Sequence, residues 1–359
     1  MPDGSMDPPR PLPPATRRLV VLVLLVGVVA VAAAASVAVG ANPLSPLQVW
    51  WALVHPTGGE GDIVVNSLRL PRTALGLVVG LALGVAGALM QGHTRNPLAD
   101  PGLLGVSDGA ALGVVVAVFG FGVTTLDGYV WFAFAGALLA SITVFLIGGI
   151  GTVSGAGRVG SGAGGGLGGA SPVSLALAGI AVGALLKGIT TTLALFDSRT
   201  LDAYRFWAVG SLAGRPPELV WQILPYVVAG LFAAAVNVRA LNALTLGDDT
   251  ARALGHRILL SRAVGIGAIT LLSGSAVAAA GPLAFVGLVV PHVARTVTGP
   301  DHRWLVPYSG LLGAALLLVA DVIGRVVARP GELLAGTALA LIGAPCFIAL
   351  VRRRRLVRI

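Results

Sequence analysis

The chain has 359 residues, 56% of them hydrophobic and only 11% charged, with a mean hydropathy of +0.90 and a formal charge of +9. That balance excludes a water-soluble globule and describes a polytopic membrane protein. It also excludes a basic nucleic-acid face, because Arg and Lys fall in short clusters between apolar runs, which is a topology signal. The single cysteine, Cys346, rules out an intrachain disulfide.

A span needs about 20 mostly apolar residues, so the length leaves room for roughly ten. Residues 1–18 are Pro-rich, carry Arg10, Arg17 and Arg18, and read as a disordered cytoplasmic tail. The run 19–40 is too long for the apolar part of a cleavable signal peptide and reads as the first span. A mixed outer segment, 41–68, follows, with Trp50 and Trp51 at interface depth. Spans are predicted over 70–92, 103–121 and 129–150, the first two joined by a polar hinge from Gln91 to Pro101. The stretch 148–170 is rich in glycine and reads as a flexible cytoplasmic linker. Further spans are predicted over 174–195 and 217–238, separated by a polar loop, 197–217. A short polar stretch, 242–257, then leads to a span over 259–280. A shorter apolar segment, 281–295, ends at Pro291, and the last spans cover 305–324 and 332–351. Residues 352–359 form a basic tail. With both termini inside, sixteen arginines fall on cytoplasmic segments and seven on outer ones, which supports ten spans and cytoplasmic ends.

The stretch 242–257 is helix-friendly and lies between two long apolar runs. Leu246 and Leu254 flank Asp248, Asp249, Thr250 and Arg252, and either aspartate is suited to cap a short helix. Pinned by its flanking spans, such a turn is a handle for another protein; an ordinary solvated loop fits the same pattern. Gly76, Gly80 and Gly84 recur every fourth residue on one face of the second span, a spacing that lets helix backbones approach closely.

No catalytic or metal-binding constellation is present in the sequence. The five histidines lie in separate segments, and the only lysine, Lys187, lacks the glycine that a Walker A loop requires before it. Any ATP-driven motor is therefore another polypeptide. Asp321 and Arg325 share a helix face and are spaced to pair. Lys187 falls near the middle of its span, where a charge is costly unless it faces water or a partner.

A set of longer motifs runs through the chain: 68–72 with Arg69 and Arg72, then Gln91 with 95–105, including Asn96, Pro97 and Gly105. It continues with 281–295, including Pro291, His292 and Arg295, then 299–303, Asp321 with Arg325, 332–336 and 343–347. In this order, from about 45 to 351, the sequence resembles the FecCD-type permeases of ferric-siderophore, haem and cobalamin ABC importers. The resemblance implies an all-α type II ABC importer permease fold with ten transmembrane helices, one multi-pass domain over 19–351, in the cytoplasmic membrane. It implies a second permease subunit (an identical chain or a paralogue), two ATPase subunits and an extracytoplasmic substrate-binding protein. ATP and magnesium would sit on the ATPase, with no cofactor on this chain.

Carried over by residue, Arg69, Arg72 and Arg325 match outer arginines that pair with carboxylates of the binding protein, which requires exposed guanidinium groups. Lipid-headgroup anchoring is the simpler alternative. Leu246, Gly247, Asp248, Asp249, Arg252, Leu254 and Gly255 match the coupling helices that enter a cleft of the ATPase. Ser171, Pro172, Val173 and Ser174 match the loop of the cytoplasmic gate in position, but not in its small polar residues. The resemblance favours ferric-siderophore import, with cobalamin or haem as other cargo. A proton-coupled secondary transporter using Lys187 or Asp321 is an alternative of a different class, and a non-transporting membrane anchor is a third.

Overall fold

The computed structural model describes residues 15–150 and 172–352, and every regular element among them is helical. Helix α1 (Ala15–Ala38) is followed by α2 (Pro46–Val54) and the single turn α3 (Glu60–Asp62). A π-helical stretch, Ile63–Arg69, leads without a break into α4 (Leu70–Thr94). After a 3-10 turn, Pro101–Leu104, come α5 (Val106–Phe121), α6 (Leu126–Ile150), α7 (Pro172–Phe196), α8 (Ser198–Ala208) and α9 (Glu218–Thr245). The chain continues with α10 (Asp248–Ala253), α11 (Ile258–Ala280), α12 (Val286–Thr298), α13 (His302–Val327) and α14 (Ala335–Arg352). Seven helices are long and apolar enough to cross a membrane alone, and α5 and α14 are shorter apolar helices. With the 13-residue α12, they stand at the ten positions read from the sequence.

Several boundaries differ from the sequence reading. Residues 15–18 belong to α1 rather than to a disordered tail; residues 1–14 lie outside the described residues. Gly148, Gly149 and Ile150 continue α6, and 151–171 of the glycine-rich stretch lie outside the described residues, as do 353–359 of the basic tail. The loop predicted over 197–217 contains α8, because Asp197 accepts hydrogen bonds from the Thr200 amide and hydroxyl at 2.9 and 2.7 Å and so caps it. Helix α9 runs on to Thr245, since Asn237 faces His93 and Arg239 faces outward, and neither interrupts the backbone ladder. Pro291 does not end α12, which continues for seven more residues.

Helices α4 and α11 form the centre: 78% of the apolar window of each is buried, against 28% for α7 and α9 at the periphery. Helix α4 packs against α13, α11, α9 and α12. The glycine repeat explains how α13 comes so close. A Cβ placed on Gly80 would lie 2.6 Å from the Gly313 carbonyl oxygen, and one on Gly84 would overlap the Ser309 carbonyl. The face of small residues therefore builds a contact within this chain, with dispersion replacing the hydrophobic drive that lipid does not supply.

Candidate functional sites at the two ends of the bundle

At one end, three arginines gather around a buried acid. Asp321 on α13, fully buried, accepts hydrogen bonds from Arg72 of α4 at 2.8–3.2 Å and from Arg325, one turn along its own helix, at 2.7 Å. Arg72 also reaches the exposed Glu332 at 2.6 Å. Arg325 then donates to the Ser36 and Val39 carbonyls and the Ser36 hydroxyl of α1 and its exit, at 2.7–3.0 Å. Arg69 donates to the carbonyls of Val37, Ala38 and Asn42. Cations placed on the free carbonyls of a helix C-terminus satisfy orphan acceptors and oppose the helix dipole. The cluster thus fastens the last turn of α1 to α4 and α13.

This corrects the expectation of exposed guanidinium groups: Arg69, Arg72 and Arg325 are 4%, 9% and 1% exposed. A guanidinium near a span end reads as surface only while its partners are unknown. Here they are backbone carbonyls at the exit of α1 and two acids, Asp321 and Glu332, more than 240 residues distant from Arg72. Above the cluster opens a cavity of about 380 Å³ lined by Asn42, Arg69, Arg72, Arg215, Arg325 and Glu332. Glu332 opens the motif 332–336, but its pairing with Arg72 and the place of Arg215 were not picked out by sequence reasoning, since a lone acid and a lone arginine in turns carry no periodic signal.

In the last turn of α4, one turn before Arg95, the motif residues form one joint. Pro291 has no N–H, so the carbonyl of Gly287, four residues earlier in α12, loses its helical donor. The buried Gln91 amide of α4 approaches that carbonyl at 3.4 Å and donates to Leu288 O at 3.1 Å, while its oxygen accepts from Arg295 at 3.1 Å. Gln91 therefore bridges the carbonyls next to the Pro291 break and one nitrogen of Arg295. His292 is buried beside them on α12. Asn96 accepts from the Leu98 amide and turns the chain at Pro97, and Gly105 at φ +70° links the 3-10 turn to α5.

At the other end, Gly247 at φ +110° reverses the chain after α9 and opens the six-residue α10. Neither aspartate caps it. Gly247 is the N-cap and carries no side-chain bond, while Asp248 is drawn away by two guanidinium groups. It accepts from Arg262 of α11 at 2.8 Å and pairs with Arg95, which closes α4. Two cationic partners give the carboxylate more than the backbone N–H of a cap would. Asp249 is exposed and pairs only with Arg252, at 2.8 Å. Ala251 is buried against Ala243, Leu244 and Ile258, and Gly255 turns the chain at φ +83°. Leu246 and Leu254 remain 66% and 60% exposed at the two ends of the short helix. Two apolar side chains on an ion-paired helical turn make a rigid protrusion rather than a slack loop. The pairing of Asp248 with Arg95 and Arg262 escaped the sequence reading because each arginine lies in a different segment from the stretch it holds.

The gate stretch is not a loop over its described part. Residues 172–174 form the first turn of α7, with Val173 exposed and Ser174 donating to the Gly148 carbonyl at 3.0 Å; Ser171 lies outside the described residues. Among the described residues no group of three His, Cys, Asp or Glu side chains is placed to hold a metal.

Comparison with known proteins places these features in a common frame. Residues 24–353 match the model of the FecCD transport family. The chain is 46% identical over 317 residues to the ferric enterobactin transport system permease protein FepD of Escherichia coli K12, covering 88% of this chain and 90% of that protein. It is 40% identical to the iron(3+)-hydroxamate import system permease protein FhuB of Bacillus subtilis, covering 94% and 84%. It is 36% identical to the cobalamin import system permease protein BtuC of Halobacterium salinarum, covering 89% and 82%. Among solved structures, an inward-facing conformation of a putative metal-chelate type ABC transporter superposes with a TM-score of 0.79 at 28% identity, over 93% of this chain and 99% of that one.

Proposed function

The chain belongs to the FecCD transport family, and we propose that it is the permease subunit of an ATP-driven importer of ferric siderophores in the cytoplasmic membrane, with both termini cytoplasmic. The observation that carries this reading is the α10 protrusion, where exposed Leu246 and Leu254 flank a helix clamped to α4 and α11 through Asp248. Similarity to permeases for ferric enterobactin and iron(3+)-hydroxamate supports a ferric-chelate cargo.

In this reading two permease subunits enclose the path, and two ATPase subunits hold ATP and magnesium and receive α10 in a cleft. ATP binding moves the ATPases, α10 follows as a lever, and Asp248 passes the displacement to the ends of α4 and α11, so that the path opens alternately to either side. The binding protein docks over the arginine-lined cavity. Arg69 there is hydrogen-bonded to backbone carbonyls and paired with no carboxylate, so its positive charge acts through the cavity on a carboxylate of the binding protein; Arg72 and Arg325 act from below by holding the rim in place.

The test is affinity purification of the tagged chain in mild detergent, comparing wild type with Leu246→Asp/Leu254→Asp. An ATPase subunit is expected with wild type and lost with the variant, while thermal stability stays within about 0.5 kcal/mol because both positions are exposed. Recovery of the ATPase with both forms would remove α10 from the contact, and its absence from both would remove the ATP-driven reading.

A further inference from the structure

Lys187 is the only lysine of the chain, and neither the fold nor the two ends of the bundle uses it. It sits on α7, a 25-residue apolar helix. Taking α7 as one membrane span, Lys187 lies about 4.5 Å past the midpoint at Ala184. The nearer edge of a 30 Å hydrocarbon layer is then about 10 Å away, farther than a lysine stem can snorkel. Its side chain nevertheless points out of the protein: Lys187 is exposed, as are Ala184, Gly188 and Thr191 on the same stripe of α7. Among the described residues no other exposed charge stands at the middle of a span, and Lys187 forms no hydrogen bond or ion pair there.

A bare ammonium facing lipid at this depth is costly, so the stripe faces water or a polar partner. The surroundings favour water. Around Lys187 the exposed stripe is small and polar over Ala184, Gly188 and Thr191, and bulky apolar residues return only toward its ends, at Ile180 and Leu195. Asp108, in the first turn of α5, directs a carboxylate oxygen to 2.7 Å from where a Cβ on Gly183 would sit, one turn before Lys187. It lies within electrostatic range of the ammonium without pairing with it. The lysine is thus held near a carboxylate, and its donors remain available.

We propose that Lys187 faces the aqueous cargo path and recognises the negative charge of an anionic ferric chelate, a role that rests on the importer reading above. The ammonium offers three donors and a point charge to catecholate or carboxylate oxygens around the iron. A ferric tris-catecholate carries net negative charge, whereas a ferric tris-hydroxamate is neutral, and Lys187 separates the two.

The sole lysine permits a test on the native protein. Membranes carrying the complete transporter are treated with a sulfonated, amine-reactive ester, and modification of Lys187 is read by peptide mass spectrometry, apart from the N-terminal amine. Modification is expected, and a ferric tris-catecholate should slow it at least about fivefold while a ferric tris-hydroxamate leaves it unchanged. An unmodified Lys187 overturns the path assignment in favour of a dry protein contact, and equal protection by both chelates, or by neither, overturns the charge recognition. In uptake of radiolabelled iron, Lys187→Met is expected to lower tris-catecholate transport about tenfold, with less than a twofold change for the tris-hydroxamate, and Lys187→Arg to restore it. Equal losses for both chelates in Lys187→Met would assign Lys187 to assembly instead. Co-purification of the ATPase judges the importer reading separately, so either conclusion can fall while the other stands.

Discussion

The two ends of the bundle use the same chemistry in opposite ways. Asp321 with Arg72 and Arg325, and Asp248 with Arg95 and Arg262, are both aspartates bridging two arginines from different helices. In the first, every partner is buried and the acid is fully enclosed; in the second, Asp248 and Arg95 remain partly in water. A buried triad is costly to assemble and far more costly to break, so it fixes one arrangement. A half-solvated triad is worth little in stability, and water can replace each bond as it is lost. The difference separates a joint that fixes one arrangement from one whose bonds water can replace.

Breaking the buried triad should have the largest effect. Asp321→Ala leaves Arg325 without its counter-charge and Arg72 with Glu332 alone, and about 3–5 kcal/mol of stability should disappear, read as a lower melting temperature in detergent. Asp321→Asn keeps the volume and part of the hydrogen bonding and should lose less; equal stability of wild type and Asp321→Ala would show that the triad is not buried as described. Next comes the glycine seam between α4 and α13. Gly84→Val must displace the Ser309 backbone and should cost about 1–3 kcal/mol, whereas Gly27→Val, with no neighbour within 4 Å on α1, should cost little by the same melting assay.

Asp248→Asn sharpens the contrast from the other side. It should change stability by about 1 kcal/mol or less, yet uncouple the ATPase from uptake, so that ATP hydrolysis continues while transport falls. Parallel loss of stability and uptake would make this triad a structural joint like the first. The smallest effect concerns Asp197, whose bonds from the Thr200 hydroxyl and amide hold its carboxylate below its usual range. A depressed carboxylate stabilises above the unfolded value, near pH 4, and loses that contribution as pH falls through the folded one. Acidification should therefore speed amide exchange in the first turn of α8, and Asp197→Ala should abolish that pH dependence.

Much of this was legible in the sequence. Long apolar runs marked the spans because a bilayer demands length and hydrophobicity, and motif order marked the family. The short helix at 248–253 was visible from its polar character between two spans. What escaped was the role of each charge. Arg325 looked like a surface group because its distance to the span end was legible, whereas its acceptors at Ser36 and Val39 were 286 or more residues away. Asp248 looked like a cap for the same reason: local spacing reports what a residue could bind nearby, and Arg95 and Arg262 became neighbours only on folding. The helix α8 was missed because its strongest signal is one aspartate three residues ahead of a threonine.

The arginine cluster has a consequence for biosynthesis. Helix α1, with a mean hydropathy of 2.9, is apolar enough to enter the bilayer as soon as it is made, but its exit turn remains unfastened. Arg72 follows with α4, and its acid is not synthesised until residue 321. For some 250 residues of translation the cation must wait at the membrane edge with no counter-ion. Emergence of α13 then neutralises Arg72, secures the end of α1 and brings Arg325 into place together. The last quarter of the chain therefore completes the cluster: until it is made, Arg72 has neither of the acids, Asp321 and Glu332, that neutralise it.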